Sequence, residues 1–270
     1  MNPISVSEQM LYNTVRLQTL DGSSGTGFFF NFNIDDKIVP ILITNKHVIN
    51  YNQNETMRFL LHLKDGDEAS DENFDVRYST KWYFHSTQDI CFCFVNPLFE
   101  EVKRLTGKDV YYILVDETLI YNEDELKSLS SLEPVVMVGY PNGLWDTLHN
   151  YPLFRTGVTA AHPAYDFNNK NIGLVDMACF PGSSGSPIYI MNENGYSDKK
   201  GNIYLGAKRL IFLGILYAGP TVNLNGEIIV VDVPTQQKAF SQMKTMINLG
   251  YYIKAHELKE FKTIIENFVQ

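Results

Sequence analysis

Hydrophobic positions come mostly in short alternating or fully apolar stretches broken by turn residues, a pattern that predicts many strands and few helices. Residues 12–19 alternate, Asp21-Gly22-Ser23-Ser24-Gly25 reads as a turn, and residues 26–32 form an aromatic strand. A further strand at 38–44 follows the Asp35-Asp36-Lys37 turn, and 57–63 and 75–78 predict two more around an acidic stretch, 65–73, that reads as a solvated hairpin tip. Residues 90–95 are apolar throughout. A second set of strands is predicted at 133–140, 156–160, 172–178, 187–191, 210–217, 228–233 and 251–254. Between the sets, 97–105 and 123–129 carry helical spacing. From 256 to 268, Leu258, Phe261, Ile264, Ile265 and Phe268 fall on one face of an amphipathic helix.

So many strands without long helices between them imply an all-β barrel or sandwich. Phe28, Phe29, Phe30 and Trp82 are expected in the core of the first half. Asp146 and Arg155 are expected to pair beside the second half.

The chain has 270 residues and is 44% hydrophobic, enough for one large domain or two small ones. Its net charge of −9 argues against a nucleic-acid protein, which presents a basic face. The first ten residues lack the basic and apolar regions of a secretory leader, and no apolar run approaches the length of a membrane span. Three cysteines, Cys91, Cys93 and Cys179, form no disulfide framework and suggest a reducing, cytoplasmic setting. Cys91 and Cys93 share one face of a strand and read as small buried apolar residues. Histidines and cysteines do not cluster at ligand spacing, so neither a metal nor a cofactor is expected.

Candidate chemistry centres on Cys179-Phe180-Pro181-Gly182-Ser183-Ser184-Gly185-Ser186-Pro187-Ile188-Tyr189. Small residues let this backbone turn sharply and expose one side chain at the tip. With Ser184 at the tip, the N–H groups of Gly182 and Ser184 can point at one spot, as an acyl-transfer oxyanion requires. A serine hydroxyl needs a base, and His47, closing an apolar strand in a short polar turn, is the candidate. Asp89, at the mouth of the apolar run 90–95, is the acid that would fix the imidazole tautomer. Taken singly, these residues also fit a plain loop, a structural histidine and a turn cap.

Taken together they resemble a known family. Gly25-Thr26-Gly27-Phe28, Thr44-Asn45-Lys46-His47-Val48, Asp89-Ile90 and Gly182-Ser183-Ser184-Gly185-Ser186-Pro187 follow in the order of the motifs of trypsin-like serine proteases. Phe212-Leu213-Gly214-Ile215-Leu216-Tyr217-Ala218-Gly219 resembles the strand lining their specificity pocket, and Leu249-Gly250-Tyr251-Tyr252-Ile253 their last barrel strand. The chain looks closer to intracellular bacterial and HtrA-type members than to digestive ones, and Gly139-Tyr140-Pro141-Asn142-Gly143-Leu144-Trp145-Asp146 resembles a segment of a bacterial group.

The resemblance implies a chymotrypsin-like fold: two six-stranded antiparallel β-barrels and a C-terminal helix. The expected division is 1–105 for the first barrel, 106–132 for a connector, 133–254 for the second barrel and 255–270 for the helix. It also implies catalysis by His47, Asp89 and Ser184, with the Gly182 and Ser184 N–H groups as the oxyanion hole. Ala178, Tyr217, Gly219 and Gly250 would line the substrate pocket, whose uncharged floor suggests an uncharged P1 side chain; a shifted loop would instead bring Asp176 into it. Ser183 stands where secreted relatives carry the aspartate that pairs with a freed N-terminus, so no proteolytic activation is expected. The long 220–248 insertion, with a hairpin turn expected at Asn223-Leu224-Asn225-Gly226, either covers the cleft or lies on the surface.

The expected partners are a protein or peptide substrate and a possible regulatory protein, with no nucleic acid and no membrane. Two other readings stay open. An α/β-hydrolase requires its acid and histidine after the serine, and only His256 follows. A protease fold with a collapsed oxyanion loop would be a silent peptide-binding or regulatory module.

Overall fold

The computed structural model describes residues 2–228 and 239–269. After α1 (Val6–Met10), the first half forms β1 (Thr14–Thr19), β2 (Ser24–Ile34), β3 (Lys37–Thr44), β4 (Thr56–Asp65), β5 (Glu68–Ser79), β6 (Tyr83–Phe84) and β7 (Cys91–Phe94). Next come α2 (Asn96–Thr106), β8 (Val110–Tyr111), β9 (Val115–Asp116) and α3 (Glu123–Ser128). The second half contains β10 (Pro134–Gly139), β11 (Leu153–Thr159), β12 (Ile172–Asp176), β13 (Pro187–Asn192), β14 (Gly195–Ser197) and β15 (Ile203–Leu205). It continues with β16 (Arg209–Ala218), β17 (Thr221–Ile228), β18 (Ala239–Met246) and β19 (Leu249–Lys254), and α4 (Lys259–Val269) follows.

The first half is a nine-stranded sheet in the order β5-β4-β1-β2-β3-β7-β6, with β8 added to β4 and β9 to β2. It therefore carries three more than the six strands expected: the stretch 106–132 lends it β8 and β9, and the short β6 pairs with β7. The β9 pairing is parallel. The second half closes into the expected six-stranded barrel, β10-β11-β12-β19-β16-β13. The architecture is all-β and chymotrypsin-like, with one helix packed at the C-terminal side.

Alternation on β2 explains how the halves meet. Phe28, Phe30 and Phe32 point one way into an apolar cluster shared with Tyr189 and Phe212 of the barrel. Phe29 points the other way, into the first half's own core with Leu42, Phe59 and Trp82. Both faces of β2 are buried, so its sequence reads as a continuous aromatic run. The expectation for Phe28 and Phe30 is corrected accordingly, since they belong to the junction with the barrel. The α4 helix packs back on the first sheet, with Phe261 on Phe92 at a ring separation of 4.8 Å.

Two turns and one side-chain pair differ from the sequence reading. The acidic stretch is mostly strand: Lys64 pairs with Ala69 and Asp65 with Glu68, leaving a two-residue turn at Gly66-Asp67. Glu68, Asp71 and Glu72 sit on β5, at one end of the sheet, where charged side chains protect an exposed edge. Asn223-Leu224-Asn225-Gly226 is not a turn. It lies within β17, with Asn225 opposite Gln242 and Gly226 opposite Ser241. The insertion is a two-stranded ribbon of β17 and β18 between β16 and β19, and the strand expected at 228–233 lies, beyond Ile228, outside the described residues. Asp146 does not meet Arg155. It binds His149 Nδ1 at 2.8 Å, while the Arg155 guanidinium covers the Phe180 ring at 4.8 Å.

Candidate active site

His47 is positioned by the end of β3. After Thr44 the chain enters a 3-10 helical turn, Lys46–Ile49, whose Val48 and Ile49 are buried and anchor it. Asn45 Nδ2 donates to the Asp89 carbonyl at 2.7 Å. The Asp89 carboxylate accepts twice from His47, from its backbone N–H at 3.2 Å and at its ring Nδ1 at 2.5 Å. A carboxylate on Nδ1 keeps the proton there and leaves Nε2 with a free lone pair, the state a general base needs. The two side chains are half-buried, at 33% and 21% exposure, so the pair is shielded yet reachable.

Ser184 sits in the loop between β12 and β13, half-exposed. Gly182 and Gly185 flank it at φ +87° and +86°, a left-handed conformation that favours glycine. The loop is tied internally by Ser183 N–H to Phe180 O and Ser186 N–H to Ser183 O, each at 3.0 Å. It is tied to the barrel by Gly185 N–H to Leu216 O at 2.9 Å.

Thr26 of β2 ties it to the first sheet. Its N–H donates to Ser184 O at 2.9 Å, and its hydroxyl donates to Gly182 O at 3.1 Å while accepting the Tyr140 N–H at 3.1 Å. The Thr26 carbonyl accepts the Thr44 hydroxyl at 2.7 Å. Thr44, three residues before His47, therefore shares Thr26 with the serine loop. A side chain at Gly185 would place its Cβ 1.9 Å from Thr26 O, so the two halves approach here too closely for anything but glycine.

Among the described residues, the N–H groups of Gly182 and Ser184 donate to no protein acceptor and remain available to a ligand. Ser184 Oγ makes no hydrogen bond, to His47 or to any other described residue. The Ser183 hydroxyl is buried without a partner among the described residues.

The four pocket candidates fare differently. Ala178 and Tyr217 are half-buried, and the Tyr217 phenol is pushed up by burial first, then by Tyr251 and Asp89. Gly219 follows Ala218, which pairs with Tyr251, so it runs alongside Gly250. Gly250 itself is filled from one side: a Cβ there would meet Cys179 Sγ at 2.5 Å and Leu216 Cδ1 at 2.8 Å. Cys179 is the side chain packed against Gly250. Asp176 is exposed, opposite Leu249 in the barrel.

None of the three cysteines is placed to act as a nucleophile. Burial pushes the Cys179 thiol up to about 11 and the Cys91 and Cys93 thiols up as well, so all three stay protonated. Among the described residues, no three His, Cys, Asp or Glu side chains gather as a metal site would require. A hollow of about 540 Å³ lined by Tyr121, Tyr165, Lys254 and His256 borders α3 and includes none of His47, Asp89 and Ser184.

In the sequence Thr26 reads only as part of a strand motif. Its role as a tie had one signal, a hydroxyl residue held between two glycines on a strand that is otherwise aromatic.

No family model and no curated protein matches the chain. Among solved structures it is similar to the serine protease of a human pathogenic astrovirus, with a TM-score of 0.41 and 13% identity over 90% of this chain and 89% of that one. The fold and site described above stand on the chain's own strand pairing and contacts.

Proposed function

We propose that this protein is a serine endopeptidase acting through His47, Asp89 and Ser184. The observation that carries the reading is the Asp89–His47 pair, 2.5 Å apart, on the sheet to which Thr26 pins the loop of the half-exposed Ser184. In the proposed reaction Ser184 Oγ attacks the carbonyl carbon and gives its proton to His47 Nε2. The Gly182 and Ser184 N–H groups donate to the developing oxyanion. His47 then returns the proton to the leaving amine as the C–N bond breaks. Water, deprotonated by His47, hydrolyses the acyl-enzyme. Such units lose on the order of 10⁶ in turnover without the nucleophile and about 10²–10³ without one oxyanion donor.

The half-buried Ala178 and the solvent-facing Asp176 support an uncharged P1 residue. Closeness to intracellular bacterial and HtrA-type members rests on the motif residues, and a cytoplasmic site of action on the thiols. No helix among the described residues is long and apolar enough to cross a membrane.

The second reading, a silent or partner-gated module, is favoured by one observation: Ser184 Oγ makes no hydrogen bond to His47. Hydrogen bonds of this kind often tighten only on substrate binding. Labelling by a fluorophosphonate, read by intact mass on the wild type and Ser184→Ala, decides between them. One adduct on the wild type alone supports the hydrolase. No adduct on folded wild type transfers the reading to the gated or binding module.

A further inference from the structure

The loop that presents Asp89 is held from behind. The Ser86 N–H and hydroxyl donate to the two carboxylate oxygens of Glu260 on α4, at 2.5 and 2.7 Å. His85, only 3% exposed, places Nε2 3.2 Å from both Glu257 Oε2 and Glu260 Oε2. Its Nδ1 accepts the N–H groups of Thr87 and Gln88 at 3.2 and 3.0 Å. Two donors on Nδ1 put the ring proton on Nε2, facing the carboxylates. The His85 carbonyl accepts Lys46 Nζ at 2.6 Å, and Lys46 is the neighbour of His47.

Residues 85–88 thus form a knot between the base and the C-terminal helix, and Asp89 is the next residue. A single exposed hydrogen bond from serine to glutamate contributes little to stability. Here both carboxylate oxygens are used on one residue, which fixes its orientation as well as its distance. Behind the knot, Phe261 of α4 packs on Phe92 of β7, the strand that Asp89 leads into. The helix therefore reads the position of the acid through both polar and apolar contacts.

We propose that Glu260 is a positioning residue for Asp89, acting through Ser86 and His85, so that α4 sets the alignment of His47. The inference rests on the hydrolase reading for its chemistry and on these contacts for its geometry. Misplacing a catalytic group by about 1 Å costs as much as 10²-fold in rate.

The test compares full-length wild type, Glu260→Ala, Glu260→Gln and Ser86→Ala. Three quantities are measured: the fluorophosphonate labelling rate across pH, the thermal midpoint, and the His47 ring resonances by NMR. Glu260→Ala is expected to label roughly 10-fold or more slowly. The acid limb of its profile should move to lower pH, because a displaced Asp89 stabilises the imidazolium less. Glu260→Gln keeps an oxygen for the Ser86 N–H and should recover most of the rate. Ser86→Ala, which loses only the hydroxyl contact, should shift the same readouts in the same direction by less, and it carries the test if Glu260→Ala fails to fold.

A wild-type rate and acid limb in Glu260→Ala would overturn the proposal. So would a loss that is uniform in pH and not rescued by glutamine, since that is the mark of a general structural contact. If the wild type itself does not label, the hydrolase reading falls on its own. The NMR arm still decides the geometry: the proposal holds if Glu260→Ala moves the His47 ring resonances and Glu260→Gln leaves them in place, and fails otherwise.

Discussion

The N–H of Thr26 donates to the carbonyl of Ser184 at 2.9 Å, joining β2 of the first sheet to the loop between β12 and β13. The Thr26 hydroxyl adds a second tie, to Gly182 O and Tyr140 N. Thr26→Val preserves shape and removes the hydroxyl, stranding a carbonyl and an N–H. The expected cost is about 1–3 kcal/mol in denaturant melts. Fluorophosphonate labelling should fall by an order of magnitude or so as the oxyanion loop loosens. Unchanged labelling would show that the backbone tie suffices.

Gly185→Ala should be far more severe. Its Cβ would lie 1.9 Å from Thr26 O and 2.6 Å from the Thr44 hydroxyl, at a φ of +86°. The loop must leave the first sheet to accept it, and labelling should drop by about 10² or more. Gly22→Ala is the control: its φ is +95° but the space is open, so it should cost about 1 kcal/mol and leave labelling intact.

Asp89→Asn keeps the size of the side chain and loses its charge. An amide donor against Nδ1 favours the wrong imidazole tautomer, so the rate should fall about 10⁴-fold in a protein with wild-type circular dichroism. A drop of less than tenfold would remove Asp89 from the proposed mechanism.

The buried His62 ring lies among Tyr12 and Tyr151, and burial lowers its pKa from 6.5 to about 4. The folded state then binds fewer protons than the unfolded state. Its share of stability is full above about pH 6.5 and is lost as pH falls towards 4, amounting to about 3 kcal/mol over that window. Urea melts of the wild type and His62→Phe should diverge below pH 6.5, with the variant flatter. Parallel curves would contradict the burial argument.

Arg209 pairs with Glu133 at 2.7 Å, both nearly buried at 9% and 5% exposure, and its guanidinium covers Tyr196 at 4.3 Å. Arg209→Met leaves a buried carboxylate without its cation and should cost about 3–5 kcal/mol. Adding Glu133→Leu should recover part of that loss. Labelling should not change in either variant, because neither residue borders the triad.

Most of the strands were legible because alternation and apolar runs are local. The pairing of His47 with Asp89 was legible because short motifs mark both. What was hidden depends on contacts between distant segments. Phe28 and Phe30 could be read as buried but not as facing the barrel, since a run buried on both faces does not reveal which neighbour lies on which side. The charges of 65–73 suggested a tip, whereas a charged strand at the end of a sheet looks the same in sequence. Asn225-Gly226 looked like a turn because these residues favour one, yet pairing with Gln242 and Ser241 overrode the preference. Glu260 read as a solvated position on an amphipathic helix. Its contact with Ser86 spans 174 residues, and nothing local announces it.

Synthesis order gives that last contact a further meaning. Glu260 lies downstream of His47, Asp89 and Ser184, and Thr26 must wait for the Ser184 loop before it can hold it. While the chain is still leaving the ribosome, the base and its acid lack their rear support and the serine lacks its anchor. On the proposed hydrolase reading, an unfinished chain therefore carries the three side chains without their alignment until α4 has docked.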